Sequence, residues 1–170
     1  MKSIRVLGAL SSAGLAIVLA SCGTEEAEAP VEAAAGDCPP GISVTDGWLA
    51  LPAVSGNPAA VYFTITNDTE SQVTIRTASV LGAGSAMLHE TAEWSGEMDM
   101  QELFTQPLLA GETLEFEPGG KHVMAFDMGE GTEPGGETEA TLTFVGGDKC
   151  SFPVTAHPAG EDPRESADEA

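Results

Sequence analysis

From Ile42 onwards, apolar and polar residues tend to alternate with a period of two, the spacing that puts one set of strand side chains in a core and the other in solvent. In Ala60–Asn67, Val61, Phe63 and Ile65 fall on one face and Tyr62, Thr64 and Thr66 on the other. Ile42–Leu51, with a bend at Asp46-Gly47, and Val73–Val80 read as further strands. Ala86–Glu90 and Met98–Leu103 are expected to pair across a loop, Thr91–Glu97. Thr113–Glu117 turns Leu114 and Phe116 inward, and Pro118-Gly119-Gly120 makes a tight turn into Lys121–Met128. Ala140–Val145 and Ser151–Thr155 complete the pattern. About eight or nine short strands joined by Gly/Pro turns imply an all-β sandwich or small barrel. Trp48 is expected in its core.

The amino end breaks the pattern. Lys2 and Arg5 precede an apolar run from Val6 to Ala20 that is too short for a good membrane span and has the form of a signal peptide, residues 1–21. Leu19-Ala20-Ser21-Cys22 resembles a bacterial lipobox, which implies cleavage before Cys22 and a lipid on that cysteine. An ordinary secreted protein with a spare thiol is the alternative. Either reading exports the domain, and the lipobox puts it on the periplasmic side of the cell envelope, tethered to a membrane. Residues 22–36 hold one β-branched aliphatic, Val31, and no aromatic, so they read as an acidic tether spanning about 20 Å. The strand-bearing domain is then 37–156, and residues 157–170 read as a disordered acidic tail.

Charge narrows the function classes. The chain carries −21, and without Lys2 and Arg5 it retains four basic and 27 acidic residues, a net of −23. Nucleic-acid binding, which needs Lys and Arg on phosphates, is excluded as a reading. Such a charge favours a soluble monomer. Cys38 and Cys150, near the two ends of the domain, favour a disulfide in an oxidising compartment, with a thiolate metal pair or free thiols as the alternatives.

The chain has only three histidines, and two of them stand in a pattern with methionine. His89 is followed after ten residues by Met100, after twenty-one more by His122, and after one more by Met124. Two imidazoles and two thioethers form a soft, neutral donor set that selects Cu(I). Calcium and magnesium need oxygen ligands, and zinc sites rarely use Met. Thioethers survive where a free thiol would be oxidised. Without thiolate charge the set favours transfer of the ion over storage. The bland alternative is that the methionines fill core gaps and the histidines sit at the surface.

At these residues the sequence resembles the periplasmic copper chaperones of the PCuAC type, whose signature has the same three gaps. The flanks are similar too: Val44 to Leu49, Ala59 to Asn67, Leu88-His89-Glu90, and Pro118 to Met124, within about residues 42–155. The resemblance implies a cupredoxin-like Greek-key sandwich or barrel with Cu(I) near its surface, held by His89, Met100, His122 and Met124. It implies delivery of copper to an acceptor, either a thiol-bearing chaperone or the oxidase subunit that carries the Cu(A) centre of cytochrome c oxidase. Two departures stand out. Thr91 occupies the place where a methionine often follows the first His-Glu, and the carboxyl tail, with His157 alone, lacks a His/Met-rich extension.

Met87, Met98 and Met128 share the spacing of the ligand positions and are candidates to shuttle or shield the ion, with core packing the competing role. Trp94 could cap it by a cation–π contact. No enzyme motif is present: Gly-x-Ser-x-Gly and His-Glu-x-x-His are both missing. A blue-copper site needs a thiolate with two His and an axial Met, and no Cys-His-Met loop follows Cys150. A metal-free envelope binding module and a copper storage or resistance protein remain the alternatives to a chaperone.

Overall fold

The computed structural model describes residues 36–94, 96–129 and 132–164. Ten strands are formed: β1 Ile42–Ala50, β2 Ala59–Asn67, β3 Val73–Val80, β4 Ser85–Trp94, β5 Glu97–Glu102, β6 Gln106–Leu108, β7 Thr113–Phe116, β8 Lys121–Phe126, β9 Glu137–Phe144 and β10 Lys149–His157. They hydrogen-bond in the order β5-β4-β8-β2-β1-β10-β9-β3-β6, with β7 also on β2. All pairs are antiparallel except β1 with β10. The sheet folds over so that β3 lies against β4. The result is the cupredoxin-like β-sandwich. Among the described residues no helix is long and apolar enough to cross a membrane.

The alternation places the core where the sequence puts it. Val61, Phe63 and Ile65 of β2 are buried with Leu142 of β9, Val123 of β8 and Val154 of β10. Phe63 stacks on Phe116 with centroids 4.3 Å apart and meets Phe152 at 4.9 Å. Asn67, which closes β2, is fully buried and well satisfied. Its amide donates to the carbonyls of Ser71, Leu108 and Leu109 at 2.9, 3.2 and 3.0 Å, and its oxygen accepts from Thr69. A disulfide joins Cys38 to Cys150, the latter in β10.

Several expected boundaries move. The strand expected to stop at Glu90 continues to Trp94, so only residues 95–96 separate β4 from β5. β6 is an additional strand; with three residues and Pro107 it is too short to show a period. At Asp46-Gly47 there is a β-bulge between Thr45 and Trp48, with Asp46 at φ 54°. One extra residue in a strand inverts the inside–outside alternation. Val44 faces inward, but Leu49 follows it there in place of Trp48. Trp48 is buried as expected, at 4% exposed, but it stands outside the main core cluster. It lies on the outer face against Tyr62 at 4.6 Å and His157 at 6.0 Å. Gly47 is required here, because a Cβ would stand 2.8 Å from the carbonyl oxygen of Pro153.

The tail also differs from expectation. His157 is the last residue of β10, and Arg164 lies over the Trp48 ring at 5.9 Å while pairing with Asp162 at 2.7 Å. The outer-face tryptophan gives this segment something to cover, and Trp48 is buried with Arg164 over its ring. The leader, Cys22 and the tether fall outside the described residues.

Candidate metal centre

β8 and β4 pair antiparallel with His122 directly opposite His89 and Met124 opposite Met87. On the other side of β4, Thr91 faces Met100 and Glu93 faces Met98 of β5. Directly opposed residues share a face, and so do residues two apart. His89, His122, Met124, Met100, Met87 and Met98 are thereby gathered on one face of the β5-β4-β8 sheet. Leu88, Val123 and Ala125 point the other way into the core.

Two features hold the histidines. The Pro-Gly-Gly turn before β8 leaves the Gly120 carbonyl 3.1 Å from His122 Nδ1, which donates to it as the neutral imidazole. That tautomer directs the lone pair of Nε2 outward, as metal-binding histidines do. Tyr62 of β2 packs against the same ring at 6.1 Å, and His122 is only 5% exposed. Burial pushes the His122 imidazole below its ordinary value; the Gly120 hydrogen bond opposes this and the neighbouring His89 reinforces it. The Lys121–Glu90 ion pair clamps the two strands at the adjacent register position.

His89 is the incomplete member. Its Nδ1 is buried without a hydrogen-bond partner among the described residues. Such an atom is costly unless something else satisfies it. The two imidazole rings are stacked, with centroids 5.9 Å apart. Two rings bound through nitrogen to one metal have centres at most about 6.5 Å apart, given metal–nitrogen bonds of about 2 Å. The observed separation fits. Among the described residues no group of three or more His, Cys, Asp or Glu gathers. The other candidate donors that the pairing brings to this face are thioethers. Met100 is 48% exposed on the edge strand and Met124 is half-buried.

The expected auxiliaries divide. Met87 and Met98 are exposed on the metal face. Met128 does not line up with His122 and Met124, because β8 ends at Phe126 and Asp127 turns the chain at φ 51°. It packs against the core instead. The Trp94 side chain lies outside what the structure describes. Tyr62 and the Gly120 carbonyl carry no ligand signature and escaped the sequence reading. The outward alternation of Tyr62 in β2 was their only signal.

The model of the family described as "Putative lipoprotein LpqE-like" matches residues 42–156. The chain is 29% identical over 152 residues, 86% of each chain, to "Putative lipoprotein Lxx21020" of Leifsonia xyli subsp. xyli (strain CTCB07). Among solved structures, the copper-bound PCuAC domain from PmoF2 superposes with a TM-score of 0.60 at 17% identity, covering 72% of this chain and 97% of that one. Apo-DR1885 from Deinococcus radiodurans gives 0.55 at 22% identity, covering 91% and 99%. The Cu(I) form of DR1885 gives 0.50 at 26% identity, covering 71% and 80%. The fold is thus that of PCuAC domains.

Proposed function

The chain belongs to the LpqE-like family, and from that premise we propose that it is a lipid-anchored copper chaperone of the bacterial envelope, not an enzyme. Cys22 carries the lipid, residues 22–36 form the tether, and the β domain works at the periplasmic side of the membrane. His89, His122, Met100 and Met124 hold one Cu(I) as cargo. The observation that supports this most is the opposed imidazole pair: His122 fixed by Gly120 with Nε2 outward, and His89 with a buried nitrogen that lacks a partner. The Cu(I) form of DR1885 has the same fold, which supports copper as the ion.

The arrangement favours handing over the ion. His122 is buried and braced, while Met100 stands at an exposed edge. Thioethers are neutral and bind more weakly than thiolates. An incoming acceptor thiol loses its proton to solvent as its sulfur bonds to Cu(I), and the bond to Met100 breaks. The remaining bonds then exchange in turn, with no change of oxidation state. The recipient is a thiol-bearing copper chaperone or the Cu(A) subunit during oxidase assembly.

The test is transfer. Copper-loaded protein is mixed with a soluble Cu(A) domain or a dithiol chaperone and the acceptor is isolated. Metallated acceptor supports the proposal. Copper that stays on this chain in the presence of an acceptor of higher affinity points to storage instead.

A further inference from the structure

β5 is the terminal strand of the sheet, and among the described residues it pairs with β4 alone. All six of its residues are exposed. The ladder fixes which of its backbone groups are free. Leu103 N–H donates to the Leu88 carbonyl at 2.8 Å. Hydrogen bonding alternates along an antiparallel pair, so residues 97, 99 and 101 bond to β4. The N–H and C=O of Met98, Met100 and Glu102 therefore point away from the sheet.

Natural proteins commonly block such an edge with lysine, proline or a bulge. This one carries none of these in Glu97–Glu102. It is acidic instead, at Glu97, Asp99 and Glu102, with Glu93 exposed beside them. No Lys or Arg occurs between Arg76 and Lys121. A second copy of this chain would set carboxylates against carboxylates, which cross-strand pairing disfavours. The charge selects a basic partner.

We propose that the free edge of β5 is the docking site for the copper acceptor, which adds an extended Lys/Arg-bearing segment as a further antiparallel strand. Strand addition supplies main-chain hydrogen bonds, and the alternate side chains supply specificity. An added strand lies about 4.8 Å from β5, which brings a residue opposite Met100 within about 5 Å of its side chain. A Cys or His at that position reaches the exposed side of the copper site. Met98, 63% exposed on the same face, is the adjacent thioether through which the ion passes. The role of the edge in transfer rests on the copper reading, but its pairing with a basic strand can be measured without metal.

The experiment uses the intact, 15N-labelled, copper-free chain in non-ionic detergent. The probe is a ten-residue peptide alternating Lys and Val, with a Glu/Val peptide as control. The Lys peptide is expected to shift and protect the amides of Met98, Met100 and Glu102, and to bind at least tenfold more weakly in 0.5 M salt. Met98→Pro removes one outward N–H and should weaken binding at least tenfold. Glu97→Lys/Asp99→Lys, which leaves the ladder intact, should reverse the preference towards the Glu peptide. Shifts confined to other acidic surfaces, binding indifferent to both variants, or no binding would overturn the proposal. If the edge fails while Cu(I) still binds, the docking inference alone is wrong. If the edge pairs but the chain binds no Cu(I), the docking surface stands and the copper reading falls.

Discussion

At the scale of single residues, the two histidines have different tasks. His122 is buried and oriented, so its loss removes both a donor and a braced position. Replacing it by alanine should weaken Cu(I) binding at least about 100-fold, or about 2.8 kcal/mol. Met100→Leu should cost only about tenfold and should speed release, read by competition and stopped-flow transfer. The pH response follows from the same burial. The folded His122 titrates below its unfolded value near 6.5. Just below 6.5 the unfolded chain takes up a proton that the folded chain refuses. The stability concerned is therefore fully present above 6.5 and is lost as pH falls through the folded pKa. The metal-free protein should lose Tm between pH 7.5 and 5, and His122→Gln should flatten that slope. The sequence made the candidate ligands legible because four side chains at three fixed gaps form a specific pattern. It could not reveal Tyr62 or the Gly120 carbonyl, because their roles depend on which strands become neighbours.

At the scale of elements, one bulge decides which side of β1 faces the core. Gly47→Ala would bring a Cβ to 2.8 Å from the Pro153 carbonyl. It should cost about 1–3 kcal/mol, the range for overpacking, measured by denaturant unfolding. The bend at Asp46-Gly47 was visible in the sequence, but its effect on parity was not, and Trp48 consequently lands on the outer face. The β4–β5 hairpin shows the opposite error. β4 runs longer than the alternation suggests, because Thr91–Glu93 are partly or fully exposed and carry little apolar signal, while β5 keeps its six residues. Met128 packs against the core, the competing role the sequence allowed, and leaves the ligand face for a related reason. A period of two holds only while the strand lasts, and β8 stops two residues earlier. Asn67 is a turn residue in the sequence and a buried hub in the fold. Asn67→Ala would remove the side-chain amide donor from the carbonyls of Ser71, Leu108 and Leu109, leaving Leu109 the Glu112 N–H. It should destabilise by about 1–3 kcal/mol without changing copper affinity measured on the folded fraction.

At the scale of the whole molecule, the core and the candidate copper site use opposite faces of the same strands. Leu88 and Val123 build the interior while His89 and His122 face out. The sandwich is therefore a rigid mount, and the site sits where an acceptor can reach it. The disulfide ties the segment before β1 to β10 across 112 residues. In the chain-entropy model its loss should cost about 4–5 kcal/mol, seen as a lower Tm under reductant. Copper affinity of the remaining folded protein should change little, because neither cysteine lies on the metal face.

Cu(I) binding at the His89–His122 face underlies the proposed function. A competition titration against a Cu(I) chelator, with His122→Ala/Met124→Ala alongside, tests it most directly. The native chain should bind tightly one-to-one and the double variant should lose that binding, with both proteins folded. Equal binding by the two, or binding by neither, would contradict it.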